Sequence, residues 1–297
     1  MGNTWGKILT RVSGMMLSAV VMAGCIGADT ALAVERTYTV ESGDTLKKIA
    51  QEQYGSGDWW DVLYTINQNR IQDPDVIYAG QELILSADSS QLVEQSECSV
   101  SMLLKYMAST KKVEEEAAKN FLTQGIWPDG LSVPASDDVL TQEGAIDWSQ
   151  APENGYTLDV QGNAVKTVYV PQVDEMLDRY GLPEGRYTSP MGASGPYSYE
   201  ERSLPYVEDQ TSYHQYQVTG DISRLEEYVD ACRSQDAATA AWIDHMVDQY
   251  YQGDIHNMVV YRGEVAPAFG HRGGGIQYEF PLSIEILCKL GILQEVS

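Results

Sequence analysis

The stretch from residue 37 to 86 leaves the chain little freedom. Tyr38-Thr39-Val40 alternates as a short strand, and Ser42-Gly43-Asp44-Thr45 turns into a helix with Leu46, Ile49 and Ala50 on one face. Gly55 stops that helix. A second apolar period follows at Trp60, Leu63 and Ile66 and ends at Asn67-Gln68-Asn69, and Asp73-Pro74 then breaks the chain. Residues 77–85 close with a turn and a strand. The spacing predicts a compact βααβ unit.

That order, with YTVESGDTLKKIA at one end and PDVIYAGQELIL at the other, resembles a LysM domain over essentially its full length. The resemblance implies binding to an N-acetylglucosamine-containing glycan, peptidoglycan or a chitin-like polymer. It places the contacts on one loop at Gly43, Asp44 and Thr45 and on another at Pro74, Asp75, Val76 and Ile77. Physical chemistry alone leaves a second reading, in which these loops only cap helices and turn strands, with Asp44 as an N-cap.

Met1 to Ala33 reads as an export signal. Lys7 and Arg11 make the positive start, residues 12–28 are uncharged and largely apolar, and Ala31-Leu32-Ala33 fits a small-x-small cleavage site. Met22-Ala23-Gly24-Cys25 resembles a lipobox without its usual leucine, so lipid attachment at Cys25 competes with cleavage after Ala33. No other stretch approaches the about 20 apolar residues of a membrane helix. The expected location is secreted or cell-wall associated. The formal charge is −24, and residues 1–33 carry Lys7, Arg11 and Asp29, a net of +1, so the processed chain carries −25. Such a balance repels nucleic acid and anionic lipid. Cys98, Cys232 and Cys288 form an odd, widely spaced set with no metal-ligand pattern, and His256 and His271 lack partners at metal spacing, so no metal is expected.

Residues 87–97 are polar and read as a linker, and residues 98–124 recur at helical spacing (Met102, Leu103, Tyr106, Met107, then Val113, Ala117, Phe121, Leu122). From 125 to 297 the pattern is mainly β with a helical insertion, giving an α+β chain overall. Residues 165–170 read as a strand, 173–180 as a short helix and 213–218 as a strand. Two amphipathic helices fill 223–252, with Ala241, Trp242, His245, Met246 and Tyr250 taken as the apolar period of the second. Strands over 258–261 and up to Phe280, then a helix from Ser283 to Leu290 stopped by Gly291, finish the chain.

The chemistry concentrates in residues 178–217, completed by Gly273-Gly274-Gly275-Ile276-Gln277-Tyr278-Glu279. That stretch holds Arg179, Arg186 and Arg202, a run of glycines and prolines, and His214 on a strand. Guanidinium forks grip phosphate bidentately, and glycines such as Gly274 and Gly275 let backbone N–H groups approach an anion. The expectation is a pocket for a pyrophosphate-containing nucleotide.

DRYGLPEGRYTSP, EERSLP, YHQYQV, APAFG, GGGIQY and the closing helix ending KLGIL occur in the order seen in the tuberculosis necrotizing toxin family, over about residues 142–297 apart from the insertion at 223–252. The resemblance implies cleavage of NAD or NADP, as substrate and not cofactor, to nicotinamide and ADP-ribose. It also implies a neutralising immunity protein. The family's functional positions fall on Arg179, Tyr187, Arg202, His214 and Gln277. Arg179 and Arg202 suit the pyrophosphate through paired N–H donors, with Arg186 a further substrate-binding candidate; Tyr187 offers a stacking face, and Gln277 a partner for ribose hydroxyls or water. His214 fits several roles. Each has a plainer reading: Arg202 pairing with Glu200 or Glu201, Tyr187 as core. Glu279, two residues beyond Gln277 on a strand, resembles the QxE element of ADP-ribosyltransferases, and the competing expectation is a solvent-facing glutamate. Mono-ADP-ribosyl transfer and a non-catalytic, peptidoglycan-binding wall protein therefore stand as alternatives.

Overall fold

The computed structural model describes residues 36–110, 113–192 and 195–296, so the expected export signal and Cys25 lie outside the described residues. Strand β1 (Thr37–Thr39) pairs antiparallel with β2 (Glu82–Ile84), Thr39 opposite Glu82. Between them run α1 (Leu46–Tyr54) and α2 (Trp60–Ile66). Thr45, not Asp44, caps α1, its hydroxyl accepting from the Lys48 N–H at 3.2 Å, and Gly55 ends it at φ 83°. Buried Asn67 ties α2 to β2: its amide donates to Leu63 O and Ile84 O and accepts from the Ile84 N–H. A buried side-chain amide with all these bonds made fixes the module's closing geometry.

The segment read as a linker is built into the fold. It holds α3 (Gln91–Glu94), buries Val93, and hangs on Ala87 N–H to Leu122 O (2.8 Å) and Arg36 Nη2 to Val93 O (3.3 Å). Its polar composition hid an apolar anchor, Val93 with Leu92 packed beside it. Helices α4 (Val100–Ser109) and α5 (Glu115–Gln124) follow; α1 packs on α4 and α2 on α5. One buried cluster therefore runs from Ile49 and Leu63 through Val93, Leu103, Met107 and Phe121 to Val207, Ala268 and Phe269.

The rest is a seven-stranded antiparallel sheet in the order β3-β7-β8-β5-β4-β6-β9. Its strands are β3 (Lys166–Tyr169), β4 (Met176–Tyr180), β5 (Tyr187–Pro190), β6 (Tyr213–Val218), β7 (Val260–Glu264), β8 (Ile276–Glu279) and β9 (Leu293–Glu295). Helices Leu225–Arg233, Ala237–Tyr250 and Ile284–Lys289 cover one face, burying Leu177, Tyr216 and Tyr278 beneath Val229, Ile243 and Leu287. The other face carries the polar residues of the site.

Two sequence expectations change here. Residues 173–180 are not a helix but contain β4, paired with β5 and β6. In Ala237–Tyr250 the buried stripe is Ala240, Ile243 and Val247, so Trp242, His245 and Tyr250 face outward. Cys98, Cys232 and Cys288 are free thiols, and burial pushes that of Cys98 up to about 12.

Candidate active site

Register decides which predicted residues meet. Tyr187 lies opposite Glu279, Asp178 opposite Ser189 and Gln215, and Arg179 opposite His214. Because successive side chains alternate across a strand, Gln277, Glu279, Tyr187 and Asp178 share the open face, while Arg179 and His214 stand with Leu177 and Tyr216 on the helix-covered face. The five expected residues therefore do not all converge. Tyr187, Arg202 and Gln277 line one cavity of about 480 Å³.

Arg179 spends its donors on the backbone: Nη1 to Tyr187 O at 3.0 Å and Nε to Gly181 O at 3.3 Å. It packs so closely on Gly185 that a Cβ there would fall 2.3 Å from Nη2. Burial lowers its pKa, and its evident work is to hold the loop that delivers Tyr187. His214 Nδ1 meets Glu295 Oε1 at 2.7 Å, tying β6 to β9.

Arg202 is buried, but its partner is neither Glu200 nor Glu201. Nη2 donates to Asp178 Oδ1 at 2.6 Å and Nε to Tyr197 O at 2.9 Å; the Tyr213 hydroxyl donates to Asp178 Oδ2 at 2.9 Å. Glu200 and Glu201 pair instead with Arg272. Arg202 thus reaches the cavity wall already neutralised on one side.

The glycine run is not an open anion loop. The N–H groups of Gly273, Gly274 and Gly275 donate to Glu200 O, Val265 O and Glu201 O. A Cβ on Gly275 would sit 2.7 Å from Glu201 O. Close approach is indeed the reason for glycine here, but what approaches is the turn Glu200–Arg202, which the run clamps so as to aim Arg202.

Glu279 is the largest departure. Far from facing solvent, it is buried at the centre of a charged cluster: Oε1 accepts from Arg186 Nη2 (2.7 Å), Asn154 Nδ2 (3.2 Å) and the Tyr187 hydroxyl (3.3 Å), and Oε2 from Lys166 Nζ (3.0 Å). Lys166 also lies over the rings of Tyr156 and Tyr261. Two cations on one carboxylate leave the cluster net positive. Burial first, then the Glu279 carboxylate, raises the Tyr187 phenol above its ordinary pKa.

The remaining walls were not singled out from sequence. Trp148, 57% exposed, meets Phe269 edge-to-face at 5.6 Å, and Phe269 sits at φ 52°, a left-handed backbone unusual for an aromatic residue. Asn154 closes another side, its carbonyl accepting from Gln277 Nε2 at 3.0 Å. The sequence signals were the turn residues between Asp147 and Tyr156 and the APAFG run that carries Phe269.

In the N-terminal module, the loops 40–45 and 74–81 meet at one end of the β1–β2 pair, where Gly80 N–H donates to Val40 O. Asp44 accepts from the Tyr38 hydroxyl (2.9 Å) and the Glu41 N–H (2.8 Å), bracing the turn at Gly43 (φ 92°). Asp73 braces the facing loop through the N–H groups of Asp75 and Val76, and Ile77 packs on the core while Val76 and Tyr78 stay exposed.

Comparison with known proteins finds two family segments in the chain. The LysM domain model matches residues 38–86, and the tuberculosis necrotizing toxin model matches residues 172–244 and 227–296. The potassium binding protein Kbp of Escherichia coli O6:H1 (strain CFT073) is 41% identical over 46 residues, 16% of this chain and 31% of that protein, so the chain spans under a third of that relative. Among solved structures, tuberculosis necrotizing toxin complexed with its immunity factor IFT matches at 22% identity over 52% of this chain and 65% of that one, with a TM-score of 0.33. The chain thus joins a LysM domain at residues 38–86 to a domain of the tuberculosis necrotizing toxin family at residues 172–296.

Proposed function

We propose that the chain is a secreted toxin that hydrolyses NAD or NADP to nicotinamide and ADP-ribose and is held at the cell wall by its LysM domain. The observation that carries this reading is the meeting of Tyr187, Arg202 and Gln277 on one cavity, although 15 to 90 residues separate them in sequence. Its volume of about 480 Å³ lies within the about 300–1,000 Å³ usual for small-molecule sites. Aromatic Trp148 and Phe269 at one wall suit a flat heterocycle, and the net positive Lys166–Glu279–Arg186 cluster beside Tyr187 suits a pyrophosphate.

The reaction asks little acid catalysis. The ribosyl C1′–N bond breaks with its electron pair passing to the pyridinium nitrogen, so nicotinamide departs neutral. Water then forms the C1′–O bond and loses a proton to solvent. The site has to orient the ribose and the water and tolerate an oxocarbenium-like transition state. In this reading that work falls to Gln277 and the Tyr187 ring, which line the cavity together.

The transfer alternative fares worse. Both Glu279 oxygens are occupied by Arg186, Lys166, Tyr187 and Asn154, so this carboxylate is a structural anchor and not a free partner for an oxocarbenium ion. An enzyme that drains NAD endangers its producer, so a neutralising partner protein belongs to the same proposal. Incubating the full chain with NAD and NADP and following nicotinamide release tests the reading. Release by the wild type and its loss in Gln277→Ala with an unchanged melting curve are the expected results; labelled acceptor protein in place of free ADP-ribose would favour transfer.

A further inference from the structure

Residues 153–155 adopt a conformation that L residues rarely string together. Glu153 (φ 52°), Asn154 (φ 61°) and Gly155 (φ 81°) are all left-handed, two of them without being glycine. Such backbone persists where its surroundings over-determine it. Here the surroundings are the two polar residues of β8. Gln277 Nε2 donates to Asn154 O at 3.0 Å, and Asn154 Nδ2 donates to Glu279 Oε1 at 3.2 Å. Gly155 O in turn accepts from the Ala266 N–H at 2.8 Å, pinning the far side of the turn.

The bond from Gln277 has a consequence for its chemistry. A backbone carbonyl can only accept, so the amide must turn its nitrogen to Asn154, whichever way round the two atoms would otherwise be assigned. Oε1 is then the free end, and no group among the described residues donates to it. Gln277 lines the cavity, so what it offers there is an acceptor.

We propose that Asn154 is a positioning residue: its left-handed turn holds the Gln277 amide with Oε1 toward the cavity, so that Gln277 receives a hydroxyl donor of the ligand, a sugar hydroxyl or a bound water, and disfavours a ligand oxygen that can only accept. This deepens the reading above and rests on Gln277 facing the substrate. Asn is the side chain other than glycine that best tolerates φ near 60°, which is why it stands at the centre of the turn.

The test uses the full chain labelled with ¹⁵N on glutamine side chains. The Gln277 amide pair is identified by its loss in Gln277→Ala. Its protons exchange with solvent about tenfold or more slowly than those of exposed glutamines, as one retained hydrogen bond requires. Asn154→Val, which cannot hold the left-handed backbone, brings exchange to the exposed rate. Asn154→Ala gives an intermediate rate, and Asn154→Gly, which keeps the turn, restores protection. In the nicotinamide assay, Asn154→Val lowers kcat about tenfold with little change in KM, and Asn154→Gly recovers most of that loss. Adding ADP-ribose shifts cavity resonances but leaves the Gln277 protons protected. Protection that survives in Asn154→Val, or that ADP-ribose abolishes, overturns the proposal. If the wild type releases no nicotinamide, the NAD reading fails on its own, and the exchange rates still decide the role of Asn154.

Discussion

The Asp178–Arg202 pair is the most consequential contact in the sheet, and its removal has a calculable cost. Asp178 is fully buried and the Arg202 side chain is 6% exposed, with the two at 2.6 Å. Cutting Asp178 to alanine leaves a largely buried guanidinium with Tyr197 O and the face of Tyr180 as its partners, and it strips the Tyr213 hydroxyl of its acceptor. Breaking one side of a buried pair costs about 3–5 kcal/mol. Against a total stability of about 5–15 kcal/mol for a typical protein, that is a large share. At about 2–4 °C per kcal/mol for a unit of this size, the melting temperature of Asp178→Ala falls by about 6–20 °C. Arg202→Met strands the Asp178 carboxylate and costs a similar amount. The double variant removes both charges together, so it costs less than the sum of the singles, by about 2–3 kcal/mol. Urea unfolding of the four proteins at one pH measures the cycle. Single-variant costs below about 1 kcal/mol, or additivity within about 0.5 kcal/mol, would show that the pair is not a mutually compensated buried unit.

Other perturbations read other parts of the molecule. Tyr38, Tyr213 and Tyr216 each have their phenol raised from 10.0 to about 12, chiefly by burial, so the folded state holds them neutral longer than the unfolded chain does. The stability this lends is whole below pH 10 and drains away as pH rises toward about 12; urea midpoints measured across that range should fall, and less steeply in Tyr213→Phe. Ile243→Ala, on the buried stripe of the insertion, costs about 2–5 kcal/mol, whereas Trp242→Ala on its outer side stays within about 0.5 kcal/mol, and equal costs would put the helix face back where its sequence suggested. Asp44→Ala frees the Tyr38 hydroxyl and the Glu41 N–H, and retention on purified peptidoglycan should drop about tenfold; undiminished retention would move the glycan contact elsewhere.

The small N-terminal module was almost fully legible, because its strands, helices and stops are set by neighbours within a few residues. Residues 173–180 show the limit. Val173, Met176, Leu177 and Tyr180 fall at i, i+3, i+4 and i+7, a helical stripe, yet ladders with β5 and β6 make a strand of the last five. Once that strand exists, parity sorts its side chains: Asp178 joins the cavity face and Arg179 the other, a distinction of one residue that motif order cannot express. Glu279 was misjudged for a related reason. Its cations come from 93 and 113 residues away, so nothing near it in sequence announces burial. Gln277 and Tyr187, expected from motif order, do share a cavity wall, because the register of β5 on β8 turns both to one face.

Phe269 and Ala268 line the cavity, yet they also belong to the same buried cluster as Ile49 and Leu63 of the LysM helices. The two family segments therefore draw on one continuous core. A protease that clipped the chain between residues 86 and 98 and let the first module drift off would lay bare the faces of α4 and α5 that α1 and α2 cover. Release of the module would then cost the remainder stability instead of leaving it a self-sufficient unit.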